Sequence, residues 1–204
     1  VALHSENPSL IEIRRAEGGI RAWAAEPGEY YNAFDGNYGG LWRRNGRPPQ
    51  LLAGVGFSAQ GQFYGSYYRR SESSYAKSLT WMFKGIKDDI LGDFGFSGDG
   101  AAGFELDRYD IRLGSLIGAV VLASSENHNS TFVLVPEEHL THLTNLPGVA
   151  NKDLIRADMT YFENDAGGAV FSVGSITFCG SLPFNNFDNN ISKLLSNIFN
   201  RFLS

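Results

Sequence analysis

The segment from Gly167 to the C-terminus constrains the fold more than any other part of the sequence. Residues 170–178 alternate between apolar and small or polar side chains, which predicts a half-buried strand. A turn rich in Gly, Ser and Asn follows, and Asp188 or Asn189 stands where a helix N-cap is expected. Seven apolar residues at helical spacing then predict a long amphipathic helix: Ile191, Leu194, Leu195, Ile198, Phe199, Phe202 and Leu203. The chain therefore ends as strand, polar turn and helix.

The remaining sequence favours many short strands over a helical bundle. The chain has 24 glycines and 13% aromatic residues, a composition typical of strands joined by turns. The clearest hairpin joins 157–163 to 169–178 through the turn 164–168. Further strands are predicted at the following places: a pair within 10–23, then 51–57, 118–123 and 131–135, with 79–83 as a short strand or helix and 66–74 as an exposed loop. The expected class is strand-rich α+β or α/β with one long C-terminal helix.

Composition and charge exclude several classes of protein. The net charge is -5 and the arginine pairs are isolated, so nucleic-acid binding is not expected. The longest apolar run, 116–123, is interrupted by Gly118 and is too short to span a membrane. The single cysteine, Cys179, excludes an internal disulfide and is compatible with a reducing cytoplasm. The first residue is Val, which fits a fragment or a processed product.

Several ordered blocks of sequence together cover most of the chain: 12–23, 29–31, 39–43, 46–49, 54–61, 100–108, 122–125, 156–159 and 167–190. In this order they resemble the C-terminal part of the large (beta) subunit of N,N-dimethylformamidase and its relatives. The resemblance implies that residues 1–204 are one unit, the C-terminal portion of a longer large subunit. It also implies that this unit completes an α/β domain of the glutamine-amidotransferase type, so the last strand and helix are expected to dock onto a sheet formed by upstream sequence.

Glu105 is the candidate catalytic residue. It lies in the segment 100–107, where small residues allow close approach and Phe104 and Leu106 flank the acid. A carboxylate in apolar surroundings tends to hold its proton and can carry it in catalysis, and the position resembles a glutamate near the family's active site. Alternatively, Glu105 pairs with Arg108 or Arg112 and only holds the loop.

Three residues are candidates to line the substrate site or support Glu105: Phe104, Asp107 and His128. Asp107 is interpreted as the more structural of the two acids. A solvated loop position is the favoured interpretation of His128, since Ser, Glu and Asn surround it in the sequence.

The resemblance implies iron in the full-length enzyme, held by tyrosine and glutamate side chains upstream of this chain. No metal ligand is therefore expected in the chain itself. Phenolate ligation by Tyr30, Tyr31 or Tyr38 is the alternative, with aromatic packing favoured. His139 and His142 have the spacing of a zinc pair but lack a convincing third ligand.

Three other patterns are interpreted as structural. The segment 54–59 matches a dinucleotide-binding glycine pattern, but no helical period follows it. Cys179 has no neighbouring His or Asp in the sequence to act as a base. A group of polar residues is expected to fix the strand-to-helix turn in preference to binding substrate: Ser175, Thr177, Ser181, Asn185 and Asn186.

The sequence thus leads to one principal hypothesis and two alternatives. The principal one, which depends on the resemblance, is the C-terminal part of a cytoplasmic, oligomeric, iron-dependent amidohydrolase that hydrolyses a small amide. Its expected partners are the upstream part of the same subunit and a small subunit. The alternatives are a non-catalytic assembly module and a carbohydrate-active or carbohydrate-binding domain.

Overall fold

The computed structural model describes residues 2–12, 43, 46–135 and 153–204. The chain divides into two compact units, Val1–Pro49 and Gln50–Ser204. In the first unit, strands β1 (Ala2–Leu3) and β2 (Ile11–Glu12) pair antiparallel. A strand near residue 10 is thus confirmed, whereas its predicted partner at 20–23 lies outside the described residues.

In the described part of the second unit, strands outnumber α-helices, as the glycine-rich composition predicts. A five-residue helix, α1, runs over Pro49–Ala53. The strands are β3 (Gly56–Ser66), β4 (Tyr68–Arg70), β5 (Ile90–Leu91), β6 (Ala102–Arg108), β7 (Val120–Ser125), β8 (Val133–Leu134), β9 (Asp158–Glu163) and β10 (Ala169–Ser172). The later helices are α2 (Phe178–Ser181) and α3 (Asn190–Phe202). Short 3₁₀ turns lie at Glu72–Tyr75, Lys77–Leu79, Ile111–Leu113 and Phe184–Phe187.

Two antiparallel sheets organise this unit. One has five strands in the order β10-β9-β7-β4-β5, and the other has three in the order β6-β3-β8. Their apolar side chains form one cluster that includes Tyr68, Leu106, Leu122 and Met159, each with no exposed surface. The prediction of a strand-rich fold is confirmed.

The predicted hairpin is confirmed, but its second strand is shorter than predicted. β9 and β10 pair from Ala169 with Glu163 to Ser172 with Thr160. The strand does not continue to Phe178, because the chain turns at Gly174, which has a φ of +67°. After the turn it pairs with the other sheet, through a bridge between Ser175 and Leu106. Residues 176–177 then form a turn, and Phe178, the predicted last residue of the strand, begins a helix.

The two predictions for residues 51–74 were wrong. Residues 51–53 belong to α1, since Pro49 at the first helical position favours a helix there, and β3 begins only at Gly56. The expected loop 66–74 contains β4, a strand between two neighbours in the larger sheet. Its anchor is Tyr68, which is fully buried and donates a 2.6 Å hydrogen bond to the Val173 carbonyl. One buried aromatic residue in a polar run is too weak a signal to predict the strand.

The other strand predictions hold to within a few residues. β7 and β8 confirm the strands predicted at 118–123 and 131–135, although the two lie in different sheets. The segment predicted at 79–83 as a strand or helix is a run of turns that follows the 3₁₀ turn Lys77–Leu79.

The C-terminal helix is confirmed, and Asn189 caps it. The Asn189 side chain accepts a 2.8 Å hydrogen bond from the backbone N–H of Ser192. Ile191, Leu194 and Ile198 pack in the core of this unit, so one face of the helix is covered by this chain's own residues. The predicted docking on a sheet formed by upstream sequence stays a prediction. Leu195 is half-buried, and the end of the apolar stripe is exposed, with 55% of Phe199 and 86% of Leu203 accessible. No helix among the described residues is both long and apolar enough to cross a membrane.

Candidate active site

A cleft of about 520 Å³ lies between β6 and the segment that follows β10. Two carboxylates of β6, those of Glu105 and Asp107, stand among its lining groups. Most of the other lining side chains are apolar: Ala53, Val55, Phe171, Val173, Ile176, Phe178, Leu182 and Leu195. No lysine, arginine or histidine occurs among the described residues that line it. The cleft is therefore apolar, with two acids.

Strand geometry brings the two acids together. Side chains of residues i and i+2 in a strand point to the same face, so Glu105 and Asp107 share one face of β6. Leu106, between them, points to the other face and is fully buried in the core. Because alternate side chains of a strand point to opposite faces, Leu106 packs in the core while Glu105 and Asp107 face the cleft.

The chain holds this strand in place through the turn after β10. The Asp107 backbone N–H donates a 2.7 Å hydrogen bond to the Gly174 carbonyl. Ser175 Oγ lies 2.8 Å from both the N and the O of Gly103, which lies two residues before Glu105. These contacts fix the backbone on both sides of Glu105.

The alternative role for Glu105, pairing with arginine, is not seen among the described residues. Arg108 and Arg112 instead bind Asp110, at 3.2 Å and 2.8 Å. Although burial alone would raise the pKa of Asp110, hydrogen bonds from these two arginines hold it well below the usual range. Asp110 therefore has the loop-holding role considered for Glu105, and no pattern in the sequence indicates it.

A second structural acid is Asp158 on β9, which has no exposed surface. Its carboxylate accepts hydrogen bonds from the Tyr109 backbone N–H at 2.8 Å, Ser124 Oγ at 2.6 Å and Arg156 Nε at 3.0 Å. These bonds use its acceptor capacity to hold β6, β7 and β9 together. A buried acid with this many partners is structural.

Asp107 differs from both of these acids. Its carboxylate has no hydrogen-bond partner within the part of the chain that the structure describes. Burial, followed by the negative charge of Glu105, raises the pKa of Asp107 to about 6. Asp107 can therefore change its protonation state near neutral pH, which the sequence could not show because the effect depends on tertiary packing.

Phe104 and His128 do not line this cleft. Phe104 adopts a φ of +62° and stacks on Phe63 with the ring centroids 4.0 Å apart. The prediction of a solvated His128 was wrong. Its Nε2 lies 2.6 Å from Ser125 Oγ, and burial lowers its pKa to about 4.

Most of the polar residues of the strand-to-helix turn bind backbone groups, as predicted. Ser181 Oγ donates to the Phe94 carbonyl at 2.5 Å, and Asn185 Nδ2 donates to the Asp188 carbonyl at 2.9 Å. Thr177 is buried, with its Oγ1 3.5 Å from Ser175 Oγ. Asn186 adopts a left-handed conformation inside the turn. These contacts confirm the structural interpretation of the group.

Cys179 lines the cleft and is exposed, but no histidine among the described lining residues stands beside it to act as a base. The segment 54–59 leads into the strand β3 and not into a helix, which confirms that the glycine pattern is not a dinucleotide site.

The described residues do not fit a metal site of their own. No group of three His, Cys, Asp or Glu side chains converges among them. Tyr30, Tyr31, Tyr38, His139 and His142, named above as ligand candidates, lie outside the described residues. No residue with a described position is therefore assigned to a metal.

Comparison with known proteins places the chain in a family. A family described as "N,N-dimethylformamidase beta subunit-like, C-terminal" matches residues 1–190. The N,N-dimethylformamidase beta subunit of Paracoccus aminophilus is 38% identical over all 204 residues, and that of an Alcaligenes species is 37% identical over the same length. The chain spans 26% of the length of each of these relatives. Since the family match covers nearly the whole chain, this protein belongs to the N,N-dimethylformamidase beta subunit-like C-terminal family.

Proposed function

We propose that this chain is the C-terminal part of an amidohydrolase acting on a small amide, and that it supplies Glu105 to the reaction. The observation that carries the proposal is that Glu105 lies in an apolar cleft of a chain whose relatives are dimethylformamidase beta subunits. Its carboxylate is not bound by arginine in the described part of the chain, so it is available to a ligand.

The cleft suits a small, largely apolar amide. A volume of about 520 Å³ is within the range of small-molecule sites, which combine apolar walls with a few polar groups. In this account Glu105 takes a proton from the attacking water and passes it to the amide nitrogen as the C–N bond breaks. The apolar walls contact alkyl groups of the amide and exclude bulk water.

Further parts of the proposal rest on the family alone. Iron would be held by residues outside this chain, and the two sheets would complete an amidotransferase-like α/β domain together with upstream sequence. The full protein would be a cytoplasmic oligomer with a small partner subunit. Because the chain matches only about a quarter of its relatives' length, the activity belongs to the longer protein.

Glu105→Gln in the full-length protein tests the catalytic role. The substitution keeps the size of the side chain and removes its ionisable proton. We expect turnover of a small amide to fall roughly 100-fold or more, with the melting temperature close to that of the wild type. Glu72→Gln, the same change at an exposed position, is the matched control and should leave both quantities unchanged. Turnover within a few-fold of the wild type in Glu105→Gln would refute the role.

A second role, assembly, is supported by the outer face of α3. Phe199, Phe202 and Leu203 are 55%, 44% and 86% exposed, a run of apolar surface at the chain's last helix. We propose that this face packs on a second subunit in the assembled full-length protein. Replacing Phe199 and Leu203 by Ser should then weaken assembly, measured by sedimentation, without reducing the stability of this unit. Unchanged sedimentation of the double variant would count against the docking role.

A further inference from the structure

We propose that Glu105 and Asp107 act as a carboxyl pair that shares one proton, with Asp107 as the group that holds it in the resting site. This inference rests on the proposed amide hydrolysis and adds a second proton-carrying residue to it. Its basis is the geometry of β6, which places both side chains on one face, in one apolar cleft.

The structure separates Asp107 from the acids with structural roles. Asp110 is bound by two arginines, and Asp158 is bound by Arg156, Ser124 and the Tyr109 backbone. The Asp107 carboxylate has no such partner among the described residues, although it is mostly enclosed by the cleft. An enclosed carboxyl without partners keeps its proton to a higher pH than a solvated one does, and a carboxylate two residues along the same face adds to this effect.

The groups around Asp107 on neighbouring elements reinforce the preference. Tyr68 on β4 keeps its phenolic proton, since burial and the charges of Asp107 and Asp158 raise its pKa well above the usual value. Asp158 on β9 is already paired with Arg156. Cys179 on α2 is the remaining titratable group that lines the cleft in the described residues. No positively charged side chain among the described lining residues therefore stabilises the ionised form of the pair.

A carboxyl pair that holds one proton can carry out both proton transfers that amide hydrolysis needs. Water oxygen bonds to the carbonyl carbon, and the water gives one proton to the ionised member of the pair. The C–N bond breaks, its electrons go to nitrogen, and nitrogen takes one of the two protons that the pair now holds. The products are a carboxylic acid and an amine, and the pair again holds one proton. Two acids with different protonation states serve as base and acid at the same pH.

The test is an infrared difference titration of the full-length protein, which detects the carbonyl stretch of protonated carboxyl groups. We expect a carboxyl group that titrates near pH 6 in the wild type. The signal should disappear in Asp107→Asn and move to lower pH in Glu105→Gln, because the latter removes the neighbouring charge. Asp165→Asn removes a carboxylate from the exposed hairpin turn and should leave the signal unchanged.

The kinetic arm measures amide hydrolysis against pH for the same variants. Asp107→Asn should lower turnover about 100-fold and remove the loss of activity above pH 6. A titration that persists in Asp107→Asn, or that does not move in Glu105→Gln, would overturn the pair. An activity profile against pH that is the same in Asp107→Asn as in the wild type would also overturn the pair.

If Glu105→Gln loses activity while no carboxyl group titrates near pH 6, the pair is wrong and the proposed function stands. If the pair titrates as expected but Glu105→Gln remains fully active, both the proposed function and the catalytic use of the pair are wrong.

Discussion

Gly174→Ala is expected to destabilise the protein strongly, because Gly174 holds β6 and β9 in close approach. A Cβ atom at this position would lie 2.6 Å from the Asp107 carbonyl oxygen and 2.8 Å from that of Asp158, whereas ordinary contacts begin at 3.4 Å. Both obstacles are backbone atoms of sheet strands and cannot rotate away. The residue also has a φ of +67°, which L-residues rarely adopt.

The magnitude follows from two costs. A left-handed conformation costs an alanine about 1–2 kcal/mol, and overpacking a tight site adds about 1–3 kcal/mol. We therefore expect a loss of roughly 2–5 kcal/mol in the free energy of unfolding for Gly174→Ala. Gly167→Ala separates the two costs, because Gly167 has a φ of +84° and no atom lies within 4 Å of the position that a Cβ would take there. It should lose only the first, about 1–2 kcal/mol.

Urea denaturation of the wild type and both variants measures these differences. Equal losses in Gly174→Ala and Gly167→Ala would refute the claim that close backbone packing at Gly174 fixes the cleft. Because Gly174 also accepts the hydrogen bond from the Asp107 N–H, Gly174→Ala should reduce amide turnover more than Gly167→Ala does.

Two further predictions concern stability. Leu194→Ala should lower the free energy of unfolding by about 2–5 kcal/mol, since Leu194 is fully buried. Leu203→Ala, at an 86% exposed position, should lower it by less than about 0.5 kcal/mol. Equal losses on urea denaturation would contradict the packing of α3. Asp107→Asn should stabilise the fold above pH 6. The raised pKa means that ionised Asp107 disfavours folding, a cost that is absent below about pH 4, grows as the pH rises to 6 and then stays constant. The gain over the wild type should reach up to about 3 kcal/mol, and a gain independent of pH would contradict this explanation.

Local patterns in the sequence predict the elements that local interactions determine. The hairpin 157–172 and the helix from residue 190 each carry their own periodicity, turn residues or cap, so they can be located without a structure. Asn189 is a predicted cap because its side chain can accept a hydrogen bond from a free helical N–H, and the structure confirms it. Glu105 is a candidate because of its apolar neighbours and its resemblance to a family motif, and it lies in the cleft.

The features that the sequence does not predict depend on tertiary partners. β10 stops at Ser172 because the next residues pair with β6, which lies more than 60 residues earlier in the sequence. β4 is a strand because its neighbours on both sides supply hydrogen bonds, although its own residues are polar. The contrast between Asp107 and Asp110 follows the same principle. Two acids three residues apart differ in role because arginines reach one and an apolar cleft encloses the other.

The central claim is that the amide binds in the cleft at Glu105. A crystal structure of the full-length Glu105→Gln protein with a small amide bound tests this most directly, since the variant should bind the amide without turning it over. The account predicts the amide in the cleft, with its nitrogen within hydrogen-bond distance of the residue 105 side chain and its alkyl groups against Phe171 and Leu195. An amide bound elsewhere, with no contact to residue 105, would contradict it.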